Sequence, residues 1–160
     1  MIIFSKKNKM NATLELTRTS RLILSQILPN YTLAQLNKIP PGYSNNLIWN
    51  IAHVIVVQQM LVYGLSGLPM KISNEMVEKY KKGSKPEQDA TQEEVDDIQS
   101  LLLTTIDQTA IDIENEVFKT FKEYPTSTGF TLKNAQDAMS FNNFHEGIHL
   151  GVIFSIRKFV

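Results

Sequence analysis

The 160-residue chain contains no cysteine. That absence removes disulfides, thiolate metal ligands and a cysteine nucleophile together, and it suits a reducing, cytoplasmic setting. Charge of one sign is also missing, because 16 basic residues balance 16 acidic ones. A nucleic-acid binder carries a basic excess on one face, so no nucleic-acid partner is expected. No apolar run reaches the length of a membrane span, so no membrane partner is expected either. The opening MIIFSKKNKM has too short an apolar part for a signal-peptide core, and residues 1–10 read as a frayed or over-called start, with Met10 the alternative initiator. Glycine (7) and proline (6) are scarce and cluster between stretches with helical spacing. No stretch alternates at period two, so no sheet is assigned.

What remains is a single domain over residues 11–160, with 42% hydrophobic and 20% charged residues, long enough to bury a core without staples. The fold class read from it is all-α: a four-helix bundle with a long crossover between helices two and three. The first helix runs from about Asn11 to Leu28, with Leu16, Ile23, Leu24, Ile27 and Leu28 as its apolar positions, and Pro29-Asn30 stops it. A short turn of helix follows at Leu33 to Asn37. Ser44 is the expected N-cap of the second helix, Asn45 to about Leu65, which is apolar nearly all round. The polar stretch from Met70 to Ala90, with a short helix from Asn74 to Lys81, is the crossover. Thr91-Gln92-Glu93-Glu94 is a capping box for the third helix, whose stripe runs from Val95 through Ile98, Leu102, Ile106, Ala110 and Ile113 to Val117. Thr131 is the expected cap of the fourth helix, Leu132 to about Lys158. The second helix has more apolar faces than one bundle helix needs. Its excess, around Ile48 and Ile55, calls for a second copy in a homodimer or for cover by the connecting segments.

Histidine is scarce as well, and its three positions carry the chemistry. His145 and His149 are four apart, so their Cβ atoms sit about 5–6 Å apart on one helical face. That face ends in apolar residues at Ala138, Val152 and Ile156 and so points inward. His53 sits among Trp49, Asn50, Val56 and Val57, also an inward environment. Buried histidines need partners for both ring nitrogens, and three of them could satisfy one another around a divalent cation. Three neutral imidazoles leave such an ion an open coordination position. The plainer alternative is hydrogen bonding of each ring to a carbonyl, and spacing leaves both open. His145-Glu146-Gly147-Ile148-His149 also spells H-E-x-x-H, the metalloprotease helix. Eleven residues follow His149 and none is His, Asp or Glu, while Val152 and Ser155 stand where the extended motif needs Gly and His. The protease reading therefore fails. Gly147 weakens the helix centre but tolerates close packing. Glu146 is a candidate catalytic base or partner to a ligand, with a solvated surface as its alternative. Asn50 and Asn142, each three residues before a histidine, are candidate supporting or cofactor-pocket groups. Trp49 and Phe141 read as core.

The order of these motifs resembles the DinB/YfiT-like superfamily of metalloenzymes, in its small bacterial DinB-like members. The likeness rests on His53 within Asn46-Leu47-Ile48-Trp49-Asn50-Ile51-Ala52-His53, on the H-x-x-x-H pair within Phe141 to Gly151, and on the crossover around Tyr80-Lys81-Lys82-Gly83-Ser84-Lys85-Pro86. The resemblance implies that His53, His145 and His149 bind a divalent ion, zinc or nickel. It also implies frequent homodimers and, in some relatives, transferase or isomerase activity with a low-molecular-weight thiol. Many relatives read H-x-G-Q-I at the pair, whereas here Gly151 is followed by Val152 and Ile153, so any help from that glutamine is absent. The expected function is a metal-dependent enzyme, S-transferase-like or hydrolase-like, acting on a small molecule. The alternative is a non-catalytic dimer with a structural or sensory metal.

Overall fold

The computed structural model describes residues 6–160, and within them the chain is mostly helical. Helix α1 (Lys6–Ile27) is closed by a single tight turn, Leu28–Asn30, at Pro29. Short α2 (Leu33–Asn37) begins on a reciprocal capping box between Thr32 and Gln35. Helix α3 (Leu47–Gln59) continues into a wider π turn, Met60–Gly64. The crossover carries α4 (Asn74–Tyr80), followed by α5 (Gln92–Glu114) and α6 (Ala135–Ile156). The expectation for residues 1–10 lies partly outside the described residues; α1 itself already begins at Lys6.

Several ends differ from the sequence reading, each for a local reason. Asn46, not Ser44, caps α3, its side chain accepting from Trp49 N at 2.9 Å while its amide donates to Asn37 O. At α5 only half of the capping box forms. Thr91 Oγ1 accepts from Glu94 N, but the Glu94 carboxylate turns to Tyr80 OH and Lys79 Nζ, both at 2.6 Å. Helix α5 stops at Glu114 because Glu116 adopts φ 53, so Val117 lies beyond the helix. Thr131 is not a helix cap. It belongs to a two-stranded antiparallel ribbon, β1 (Tyr124–Pro125) and β2 (Thr131–Leu132), and Asn134 caps α6. Two-residue strands are too short to show alternation, so the sequence gives no sign of this ribbon.

The four long helices pack in a ring, α1 against α5 and α6, and α3 against α5 and α6. One apolar cluster gathers Leu24, Leu47, Ile51, Ile55, Ile98, Leu102 and Ile153. A smaller one gathers Val62, Tyr63, Ile106, Leu132 and Met139 at the ribbon end. Each fully buried Leu, Ile or Val contributes roughly 1.5–3 kcal/mol, so α3 alone anchors the fold. The stretch Leu47–Gly64 is apolar and long enough to cross a membrane by composition, a correction to the sequence reading, but 78% of it is buried inside the fold. Ile48 and Ile55 are also buried, at 2% and 0% exposure. Tyr31, Leu33, Met70, Ile72 and Met76 of the connecting segments pack on that cluster, so this face gives no argument for a second copy.

On α1 the buried line is not the expected apolar one. Leu16 and Ile23 are exposed, while Thr17, Ser20 and Arg21 are buried ahead of Leu24. Polar residues likewise separate the two clusters along α3 (Gln58, Gln59) and α6 (Asn142, Glu146). A Cβ built on Gly147 or Gly151 meets nothing within 4 Å, so neither glycine serves close helix packing.

Candidate metal centre

Helices α3 and α6, packed side by side, bring His53, His145 and His149 together. One ring nitrogen of each lies within 4.8 Å of the others. The ring centroids are 4.5 Å apart for His145 and His149, 4.7 Å for His53 and His149, and 5.1 Å for His53 and His145. Among the described residues no aspartate or glutamate joins them.

Two rings are held from behind. His53 Nδ1 lies 2.5 Å from Tyr80 O at the end of α4, and the ring stacks on Trp49, centroids 4.5 Å apart and planes 14° from parallel. His149 Nδ1 lies 2.8 Å from Asn50 Oδ1, whose amide nitrogen is itself engaged by Asn45 and Asn46. Carbonyl-type oxygens only accept, so both Nδ1 atoms carry the proton and both Nε2 lone pairs face away from these anchors. His145 Nδ1 has no protein partner.

Burial keeps all three rings neutral. Desolvation pushes the His145 pKa down to about 3, helped by the nearby charges of His149, His53, Arg21 and Lys82. Desolvation, then His53, pushes His149 down to about 4. His53 is lowered by burial too, against the opposing pull of its bond to Tyr80. Neutral imidazole is the ligating form, and burial, which disfavours a charged ring, keeps the three lone pairs free for a metal cation. The donor set therefore fits a divalent ion.

The histidines sit on the wall of a pocket of about 330 Å³. Its apolar side is Val57, Met60, Leu61, Phe141, Phe144 and Ile148; its polar rim is Lys82, Tyr124, Thr126, Ser127 and Thr128. The π turn carries Met60 and Leu61 to this wall, a use π bulges commonly have. The ribbon reaches over the site because Phe130 stacks on Phe141 at 6.4 Å, and Gly129 at φ +87 makes the turn between the strands. A larger hollow, about 850 Å³, lies between α4 and α5. It brings no ligating cluster together, and its Lys79 and Glu94 already pair at 2.6 Å, so the smaller pocket is the functional candidate.

The candidate residues separate into two groups. Asn50 supports His149, as the spacing suggests. Glu146 and Asn142 do not join the histidines. Glu146 is 1% exposed and accepts from Ser20 Oγ, Arg21 Nε, Arg21 Nη2 and Asn142 Nδ2, at 2.7 to 3.0 Å. Three of these donors share Oε1 and one takes Oε2, so both carboxylate oxygens are engaged. Phe141 packs against the smaller apolar cluster and also lines the pocket, and Trp49 is buried directly behind a ligand candidate. Lys82, the ribbon and Arg21 were not singled out from sequence. Arg21 alone left a signal, a charge within the buried line Thr17–Leu24–Leu28 of α1.

The sequence profile of the DinB superfamily matches residues 16–153. The chain belongs to the DinB superfamily. That superfamily is metal-binding, and the histidine cluster is compatible with it. No curated protein matches the chain.

Proposed function

We propose that this DinB-superfamily chain is a cytoplasmic four-helix-bundle enzyme that holds one divalent ion, zinc or nickel, on His53, His145 and His149 and acts on a small molecule in the adjoining pocket. The observation that carries the reading is the convergence of three neutral imidazoles on the wall of a pocket, with no carboxylate among the described residues to close the set. A structural site uses a closed set of protein ligands, whereas a catalytic one leaves a position open. A bound ion supplies Lewis-acid activation, or lowers the pKa of a bound water or thiol. The chain's own groups do the rest. Asn50 and Tyr80 O orient His149 and His53, Trp49 fixes the plane of His53, and the ribbon with Phe141 and Phe144 shelters the pocket from water. We assign Glu146 to anchoring α6 on α1 instead of proton transfer. The family resemblance favours a low-molecular-weight thiol as substrate or co-substrate.

Metal analysis by mass spectrometry, on protein purified without a nickel column or chelator, tests the reading. One zinc-like ion per chain is expected, and substoichiometric metal after reconstitution would sink it.

A further inference from the structure

We propose that Lys82 selects the substrate of this pocket: a compact molecule with an apolar body and one carboxylate, its charge held at Lys82 and its body against Phe141, Phe144 and Met60. The inference rests on the pocket being the substrate site and deepens that reading.

Charge is the first support. The pocket lining contains one lysine and three histidines and no aspartate or glutamate. Lys82 is near enough for its charge to act on His145. Its neighbours are neutralised, Lys79 by Glu94 and Lys81 by Glu78, but no carboxylate among the described residues pairs with Lys82. An uncompensated cation beside a site for a second cation gives the pocket a strongly positive floor, which raises the local concentration of anions.

Placement is the second support. Lys82 sits in the turn after α4, and this turn is tied to the histidine site on both sides of it. Before it, Tyr80 O receives His53 Nδ1 at 2.5 Å. After it, Ser84 Oγ accepts from Trp49 Nε1 at 3.2 Å and lies 2.7 Å from Lys79 O and 2.9 Å from Lys81 O. Gly83, at φ +89, permits the turn. The backbone that presents Lys82 is thus held by the same two residues, Trp49 and His53, that form the back of the site. Lys82 itself stays exposed while lining the pocket.

Size and lining are the third support. A volume of about 330 Å³ is at the small end for ligand pockets, and much of its wall is aromatic and aliphatic. A polyanion would leave charges against that wall, and a neutral molecule would leave Lys82 unused.

Calorimetric titration of zinc-loaded protein with 3-phenylpropanoate, 3-phenylpropanamide and 3-phenylpropylamine tests the proposal, with zinc content measured on the same samples. The carboxylate should bind, the amide more weakly and the amine not at all. Trp49, the sole tryptophan, should report the same order by fluorescence. Lys82→Met should weaken the carboxylate about five- to tenfold and leave the amide unchanged, while Lys82→Arg keeps the preference. As Lys82 is exposed, both variants should keep the wild-type circular dichroism. Stoichiometric zinc with equal binding of acid and amide, or an unchanged preference in Lys82→Met, overturns the role of Lys82 alone. Failure to load zinc overturns the metal reading, and the selection built on it falls too.

Discussion

Helix α6 carries two polar pairs at the same i,i+4 spacing, and they have opposite fates. Glu146 turns to α1, where Ser20 and Arg21 meet it, and with Asn142 they give its carboxylate four donors, three on Oε1 and one on Oε2. His145 and His149 turn to α3 and the pocket, where one nitrogen of each ring converges with one of His53, and His145 Nδ1 has no protein partner. A buried polar group that the fold satisfies is part of the fold. Lack of a partner alone does not mark a site, since Asn142 Oδ1 and Arg21 Nη1 also have none; convergence of three ring nitrogens beside a pocket does. The H-E-x-x-H string joins both kinds in five residues, which is why its glutamate misleads.

Breaking the buried Arg21–Glu146 ion pair should have the largest effect. Arg21→Met leaves Glu146 charged and buried without its main partner, and a loss of about 3–5 kcal/mol is expected in urea unfolding. Replacing both partners, Arg21→Met with Glu146→Leu, should recover most of that loss, since two buried charges vanish together. A small effect of Arg21→Met alone would remove the distinction between the pairs. The opposite pattern is expected at the site. His149→Ala should abolish stoichiometric zinc binding while helical circular dichroism persists, with metal-free stability changing by about 1 kcal/mol. Loss of cooperative folding in that variant would instead make the metal structural.

The two pairs were not equally legible. Long helices announce themselves by periodicity and punctuation, and α2 at Leu33–Asn37 coincides with the sequence reading because capping and a following break bound it closely. The histidines were legible because few residue types bind metal and three sat on inward faces. Arg21 was only faintly so, as a charge within the buried line of α1, because its partner lies 125 residues away. Glu146 takes three of its four hydrogen bonds from α1, a contact that spacing within α6 does not show. The pocket rim escaped because it is built from loops, a ribbon of two-residue strands and the turn at Lys82, none of which has a periodic signature. Side chains that line a cavity from four directions share no sequence pattern.

The two asparagines sharpen the comparison at smaller scale. Asn50→Ala removes the acceptor from His149 Nδ1, and zinc affinity should fall about 10–100-fold by competition with a chelating dye. Asn142→Ala touches only the Glu146 network, so zinc affinity should hold while stability falls by roughly 1–2 kcal/mol. Equal effects on affinity would mean that the two faces of α6 are coupled.

Acid stability separates the pairs without breaking either. In the unfolded chain each histidine titrates near about 6.5. In the fold, burial holds His145 near about 3 and His149 near about 4, with His53 lowered in the same direction. A lowered histidine pKa means that the unfolded state takes up protons first, so the stability these rings share is intact above pH ~6.5 and is lost as pH falls toward ~4. Each ring can cost at most about 1.4 kcal/mol per pH unit in that window, and less where water reaches it. Urea unfolding of metal-free protein at pH 7.5, 6 and 5 should therefore show a steady decline. In the His145→Ala, His149→Ala double variant the decline should be shallower, because only His53 remains to titrate. An equally steep decline in the double variant would place the acid sensitivity outside the histidine cluster.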